Sequence, residues 1–314
     1  DGIQKCLESG TFDFERWGDD GLDQMTPLWM LKYLPNMPAS HIAIYNDLRG
    51  PNNSLTMRES GGLMAIGEAF RILARGDADR MIAGATGTRV LPLQAIHAKQ
   101  HHQAIGEAGL DEDPATLSRP FDASRRGMVC GEGAGMVVLE TLDSAEARGA
   151  TVLGELVGFG SSLVSKPSTG GDSLVGDNQT ALANALTAAL ADAGLEATAL
   201  GHLNADGLGA PDADRDEAAA ITATLGDVPV PVIALKSYYG ALGAGSGVVE
   251  LIGSLLAMDP TGPLAGALPR TLNCEQAEGS LNVASAAGTP AGDAFAKIST
   301  TPQGQAAAVC VRRL

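Results

Sequence analysis

Several patterns in this 314-residue sequence contain residue types that chemistry uses. Asp212, Asp214 and Asp216 form a DxDxD run like the opening of a calcium loop, where alternate carboxylates ligate the ion. The sixth position is Glu217 rather than Gly and the twelfth is Ala223 rather than Glu, so the run reads as a carboxylate-rich helix N-terminus. His101 and His102 are adjacent, lack metal-ligand spacing, and read as part of a solvated loop. Gly131–Gly135 (GEGAG) and Gly243–Gly247 (GAGSG) fit neither GxGxxG nor the phosphate-binding loop, because no Lys-Ser/Thr pair follows them. Close backbone packing is the better account of both. No serine stands in GxSxG, so a hydrolase elbow is missing. Cys6, Cys130, Cys274 and Cys310 are scattered and form no CxxC pair. They point to reduced thiols and a cytoplasmic protein rather than a zinc site or a disulfide framework. No metal and no cofactor is expected.

The elements that must position such residues alternate between strand and helix. Apolar residues make up 45% of the chain and charged residues 18%, enough for a sizeable core. Aromatics are only 4% against 40 glycines, which suggests close helix–sheet packing. The formal charge of −16 argues against nucleic-acid and anionic-membrane partners, which need a Lys/Arg excess. No apolar run approaches the roughly 20 residues of a membrane helix.

The first 40 residues read as an irregular, surface-wrapping arm. After the turn at Gly50–Ser54, Leu63, Ile66, Phe70 and Leu73 recur at helical spacing, with Gly76 as the stop. Strands are expected over 80–84, 133–140, 152–159, 228–235, 295–299 and 306–311, with 228–235 central. Helices are expected over 143–148, through Leu182, Leu186 and Leu190 to Gly194, and over 246–258. Polar loops fill 101–119 and 161–178. The class is α/β, with a boundary that gives halves of 1–160 and 161–314.

The motifs, taken in order, go further. Pro120-Phe121-Asp122, Arg125, Gly131–Gly135 and Leu139-Glu140 resemble a signature of β-ketoacyl-acyl-carrier-protein synthases. So do Pro35-Asn36-Met37, Gly50-Pro51-Asn52, Gly76-Asp77-Ala78-Asp79 and Ala147-Arg148-Gly149-Ala150. Asp214 with Glu217, Lys236-Ser237 with Gly240 and Glu250, and Thr271-Leu272-Asn273 keep the family's order. The resemblance covers nearly the whole chain and is closest to the ketosynthase-II-like branch. It implies a thiolase fold of two pseudo-symmetric halves in five layers and a dimer. Because members of the family are longer at the N-terminus, the resemblance also implies that the first strands of the first half are absent from this chain, and a start at Asp1 without Met suggests a chain that is not the native full-length product. No signal peptide is expected.

The resemblance also locates the family's catalytic positions, and there the sequence departs. The nucleophilic Cys position is Glu59, in Thr56–Gly61. The first His position is Asp206, in Ala205-Asp206-Gly207-Leu208, and the second is Ala241, after Lys236–Gly240. Lys236 keeps its place, matched with Glu250. The glycine-rich loop near the C-terminus is replaced by Thr300–Gln305, with Pro302 where a gating Phe would sit. A scaffold retained around replaced catalytic residues resembles the chain-length-factor subunits, which do not condense and pair with an active synthase in fatty-acid or polyketide assembly. The usual replacement there is Gln, so Glu59 differs even from them. The partners implied are a second copy of this chain or an active ketosynthase, together with acyl carrier protein. The alternative is altered chemistry on acyl thioesters, such as decarboxylation, with Glu59 and Asp206 close enough to titrate as a pair.

Overall fold

A computed structural model describes residues 2–106, 112–166, 176–277 and 279–314. The loops expected over 101–119 and 161–178 therefore lie partly outside the described residues. The chain forms two compact units, Asp1–Ser54 and Leu55–Leu314.

The first unit is more regular than the irregular arm expected. Strands β1 (Leu7–Glu8) and β2 (Thr11–Phe12) pair antiparallel, and Phe12 meets Phe14 edge-on at 5.0 Å between centroids. Asp13 caps the helical turn that follows, accepting from the N–H of Glu15 at 2.9 Å. Helix α1 runs from Met37 to Tyr45. Pro38 does not prevent it, because proline in the first helical turn lacks only a donor that has no intrahelical partner there.

The second unit carries the α/β architecture. Helix α2 (Gly61–Arg75) buries Leu63, Ile66, Ala69 and Ile72 along one face. It stops at Gly76, whose left-handed φ of 76° closes the last turn. Strand β3 (Arg80–Thr88) pairs antiparallel with β4 (Glu132–Glu140) through an unbroken register from Arg80↔Glu140 to Thr88↔Glu132. Helices α3 (Pro92–Gln100) and α4 (Leu142–Ala147) flank that pair in sequence.

The larger sheet comprises β5 (Glu155–Leu163), β6 (His202–Asn204), β7 (Val232–Ile233), β8 (Ala294–Thr300) and β9 (Gln305–Arg312). Its order is β5-β9-β8-β6-β7, antiparallel through β9 and β8 and parallel from β8 to β7. Helix α5 (Asn178–Ala193) packs on β5 and β9 and against α6 (Pro211–Leu225). After the short helical turn α7 (Lys236–Tyr239), helix α8 spans Gly245–Met258 and packs on β3, β4 and β8. Among the described residues no helix is long and apolar enough to cross a membrane.

One strand expectation fails. Residues 228–235 were expected to form a central strand, yet only Val232 and Ile233 are extended in the sheet, at the end of its order. Pro229 and Pro231 lack the N–H groups that an interior ladder requires. The true centre is β8–β9, where Phe295, Ala296, Ile298 and Ala306–Cys310 are buried.

Beside this core His202 stacks on Phe295 at 5.0 Å. Its Nδ1 lies 2.8 Å from the Ala291 carbonyl and its Nε2 2.9 Å from Ser254 Oγ. Burial pulls its pKa from the ordinary 6.5 to about 4, against the hydrogen bond to Ala291. The unfolded chain therefore takes up this proton first as pH falls. Stability from the neutral ring is complete above pH 6.5 and is lost by about 3 kcal/mol on descending to pH 4. In urea titrations, the stability difference between wild type and His202→Asn should shrink across that window as pH falls. A pH-independent difference would show that His202 stays uncharged in both states.

Candidate functional site

Glu59 lies on a single 3-10 turn, Arg58–Ser60, that leads into α2. Only 6% of Glu59 is exposed. A carboxylate at the start of a helix meets the positive end of its dipole, and here it also meets two guanidinium groups. Arg89 Nη2 closes on Oε1, and Arg58 Nε lies 3.3 Å from Oε2. The Glu59 carbonyl accepts from Ser299 Oγ at 3.0 Å, tying the turn to β8. Arg58 has a φ of 48°, in the left-handed region that costs a non-glycine residue about 1–3 kcal/mol.

Arg89 follows β3 and is itself buried. Its N–H donates to the Gly131 carbonyl at 2.8 Å and its Nη1 to Gln94 Oε1 at 2.7 Å. Burial, with the like charge of Arg58, lowers its pKa to about 10, so it stays cationic at neutral pH. His101 is half-buried rather than solvated, with Gln303 Nε2 at 3.1 Å from its Nε2. Burial first, then the charge of Arg58, holds its pKa below the usual imidazole range.

Asp206 follows β6 and belongs to a separate network. Lys236 Nζ donates to Asp206 Oδ1 at 2.9 Å and to its carbonyl at 2.6 Å. Lys236 also pairs with Glu250 at 2.9 Å, and Lys297 with the other Glu250 oxygen at 2.5 Å. Lys297 completes its shell on the Ala205 carbonyl at 2.9 Å. Burial opposes the Lys236 charge, but Asp206 and Glu250 outweigh it and raise its pKa. Glu217 on α6 accepts from the N–H groups of Asp206 at 2.6 Å and Gly207 at 2.8 Å. Burial, reinforced by the carboxylates of Asp206 and Asp214, pushes Glu217 up to about 8.

Ala241 is buried with Met128, Leu208 and Ala210. Its side chain offers no donor, and its backbone is occupied: N–H to the Val129 carbonyl at 2.8 Å, carbonyl to the Gly131 N–H at 3.0 Å. The GEGAG and GAGSG segments pack as expected, since a Cβ on Gly245 would collide with the Gly133 carbonyl. Asp212 and Asp214 do open α6. Asp214 accepts from Phe121 N–H at 2.8 Å, and burial raises it to about 6.

The structure thus joins Lys236 to Asp206 and to Glu250. Glu59 is held by arginines instead, and the carboxylate that Asp206 perturbs is that of Glu217. Arg89 and Lys297 as functional neighbours escaped the sequence reading. Lys297 had left a signal, because a lone cation inside the otherwise apolar run Ala294–Ile298 must find a buried anion.

Comparison with known proteins bears on this geometry. Residues 14–145 match the family "Beta-ketoacyl synthase, N-terminal domain" and residues 158–275 match "Beta-ketoacyl synthase, C-terminal domain". A 3-oxoacyl-[acyl-carrier-protein] synthase 2 of Staphylococcus aureus is 35% identical over 246 residues, which cover 76% of this chain and 58% of that protein. The chain therefore spans under two thirds of that relative's length. The solved complex of a type II PKS acyl-carrier protein with its ketosynthase bound to the hexaketide has a chain that superposes with a TM-score of 0.84 at 21% identity, covering 100% of this chain and 75% of that one. The ishigamide ketosynthase/chain length factor gives 0.80 at 24% identity, covering 95% and 70%. These likenesses establish the thiolase-like ketosynthase fold.

Removing one member of the buried network leaves a charge unpaired, which costs about 3–5 kcal/mol. Lys297→Met and Glu250→Leu should each lower stability on that scale. The double variant retains the Lys236–Asp206 balance and should be more stable than the sum of the two losses implies. Strict additivity in a double-mutant cycle would show that Lys297 and Glu250 do not interact.

Proposed function

The chain belongs to the β-ketoacyl synthase family, and from that premise we propose that it is a non-condensing member, acting as a chain-length-factor-like partner of an active synthase in fatty-acid or polyketide biosynthesis. The observation that carries this reading is the ion pair of Glu59 with Arg89 at the nucleophile position. Condensation in this family passes through an acyl group held as a thioester. A carboxylate in that role would form a reactive anhydride, and this one is already neutralised by guanidinium groups. The two positions that would steady the developing oxyanion offer an anionic carboxylate on Lys236 at Asp206 and a methyl group at Ala241.

The remaining parts of the proposal follow. The halves 1–160 and 161–314 are the two pseudo-symmetric repeats. The partner is an active ketosynthase in a heterodimer, with a homodimer as the other arrangement, and the compartment is the cytoplasm. The charge of −16 suits a subunit that leaves docking of acidic acyl carrier protein to its partner. Altered chemistry through Glu59 and Asp206 needs one of them as a free acid or base poised near neutral pH. Both are instead engaged in ion pairs, Glu59 with Arg89 and Asp206 with Lys236, which leaves neither free.

The test is condensation of acyl- and malonyl-carrier protein by the purified chain, followed by mass spectrometry of the product and of proteins that co-purify from native cells. The chain alone should give no β-ketoacyl product, and Glu59→Cys alone should not restore it, because Asp206 and Ala241 still lack the donors. A ketosynthase with its Cys intact should co-purify stoichiometrically. Turnover by the unmodified chain would overturn the proposal.

A further inference from the structure

Around Glu59 the charges do not cancel. Arg58 and Arg89 bring two positive charges against one carboxylate, and among the described residues no second acid pairs with either arginine. The surplus sits on Arg58. Arg89 is fully engaged, with Nη2 on Glu59 and Nη1 on Gln94. Arg58 uses only Nε, so the fork of its two terminal nitrogens is left without a protein partner among the described residues. Its side chain is 30% exposed, so the fork is half-buried yet reachable from solvent.

His101 lies in the field of Arg58, and Gln303 Nε2 faces His101 Nε2 at 3.1 Å. The amide of Gln303 has its Oε1 buried and without a hydrogen-bond partner. Oxygen and nitrogen of an amide are nearly equal in size, so a rotated amide fits the same space and turns Nε2 to that place instead. His101 Nε2–H would then donate to the oxygen. The strained left-handed backbone at Arg58 fixes the base of the guanidinium. A planar fork with two free N–H groups matches the paired oxygens of a carboxylate or phosphate.

We propose that Arg58, supported by Arg89, forms a receptor for a small oxyanion, either a terminal carboxylate or a phosphate group. Arg58 makes the direct contact through its fork. Arg89 takes up the other Glu59 oxygen and adds its field. The proposal does not depend on the partner-subunit reading, because the anion test gives the same answer whether or not the chain condenses.

The test is thermal unfolding of the full chain with malonate, inorganic phosphate and acetate, each at ionic strength matched with sodium chloride. A bound oxyanion at tenfold over its Kd should raise Tm saturably by roughly 2–4 °C. Arg58→Gln should abolish the rise, and Arg58→Lys should weaken it severalfold because a point charge cannot make the forked contact. A response to malonate but not phosphate assigns the site to a carboxylate-bearing group, and the reverse assigns it to a phosphate. Equal rises with sodium chloride alone, or an unchanged rise in Arg58→Gln, would overturn the proposal. Should Arg58→Gln fail to fold, wild-type crystals soaked in selenate decide the matter: anomalous density against the Arg58 fork is expected, and a clean difference map at saturating selenate overturns it.

Discussion

Burying charge is the constraint on which this structure turns. Glu250 is completely enclosed in α8, between Lys236 and Lys297. An ion removed from water costs several kcal/mol even after the protein relaxes around it. The cost is recovered only if the partners arrive from other elements in fixed geometry. They come from β8 (Lys297), from the turn after β7 (Lys236), and from the segment after β6 (Asp206 and the Ala205 carbonyl). The two ammonium groups then face two carboxylates. Burial and the carboxylates of Asp206 and Asp214 push Glu217 up, toward the neutral form that disturbs this balance least. Four elements are thereby locked in mutual position, and the positions that matter for chemistry lie on the ends of those elements.

That locking decides what the candidate site can do. Asp206 stands where a family member carries a histidine, but its oxygen and its carbonyl are both committed to Lys236. Glu59 stands at the helix start that would otherwise stabilise a thiolate, and Arg89 and the helix dipole stabilise a carboxylate there instead. Both carboxylates are already committed to buried or half-buried cations.

Much of this was legible in the sequence. The apolar face of the helix from Gly61 to Arg75, its glycine stop, the strands β3 and β4 (though not their pairing) and the last two strands follow from period and punctuation. The positions Glu59, Asp206, Ala241 and Lys236 came from motif order, and so did the Lys236–Glu250 pair. What stayed hidden was contact across the fold. Arg89 reads as an ordinary charged residue after a strand, and only the three-dimensional approach of α2 to the end of β3 makes it the counter-ion of Glu59. Motif spacing likewise cannot say which cation each of Glu59 and Asp206 meets. The strand at 228–235 misled for a different reason: its valines fit a strand, while its two prolines remove the ladder donors.

The pairing pattern bears on how the replaced positions should be understood. A carboxylate introduced alone at a buried helix start would be an unpaired charge, and the fold would lose several kcal/mol or protonate it. Here Glu59 has Arg89, and Asp206 has Lys236, while Ala241 simply fills apolar space with Met128 and Leu208. Each replacement is therefore integrated into the packing and the charge balance around it. Each of the two carboxylates thus meets a buried cation that comes from another element. The balance also exposes what folding does not require. Arg89 alone neutralises Glu59, so the second guanidinium, held on a strained backbone with its fork open to solvent, adds charge that the fold itself has no need of.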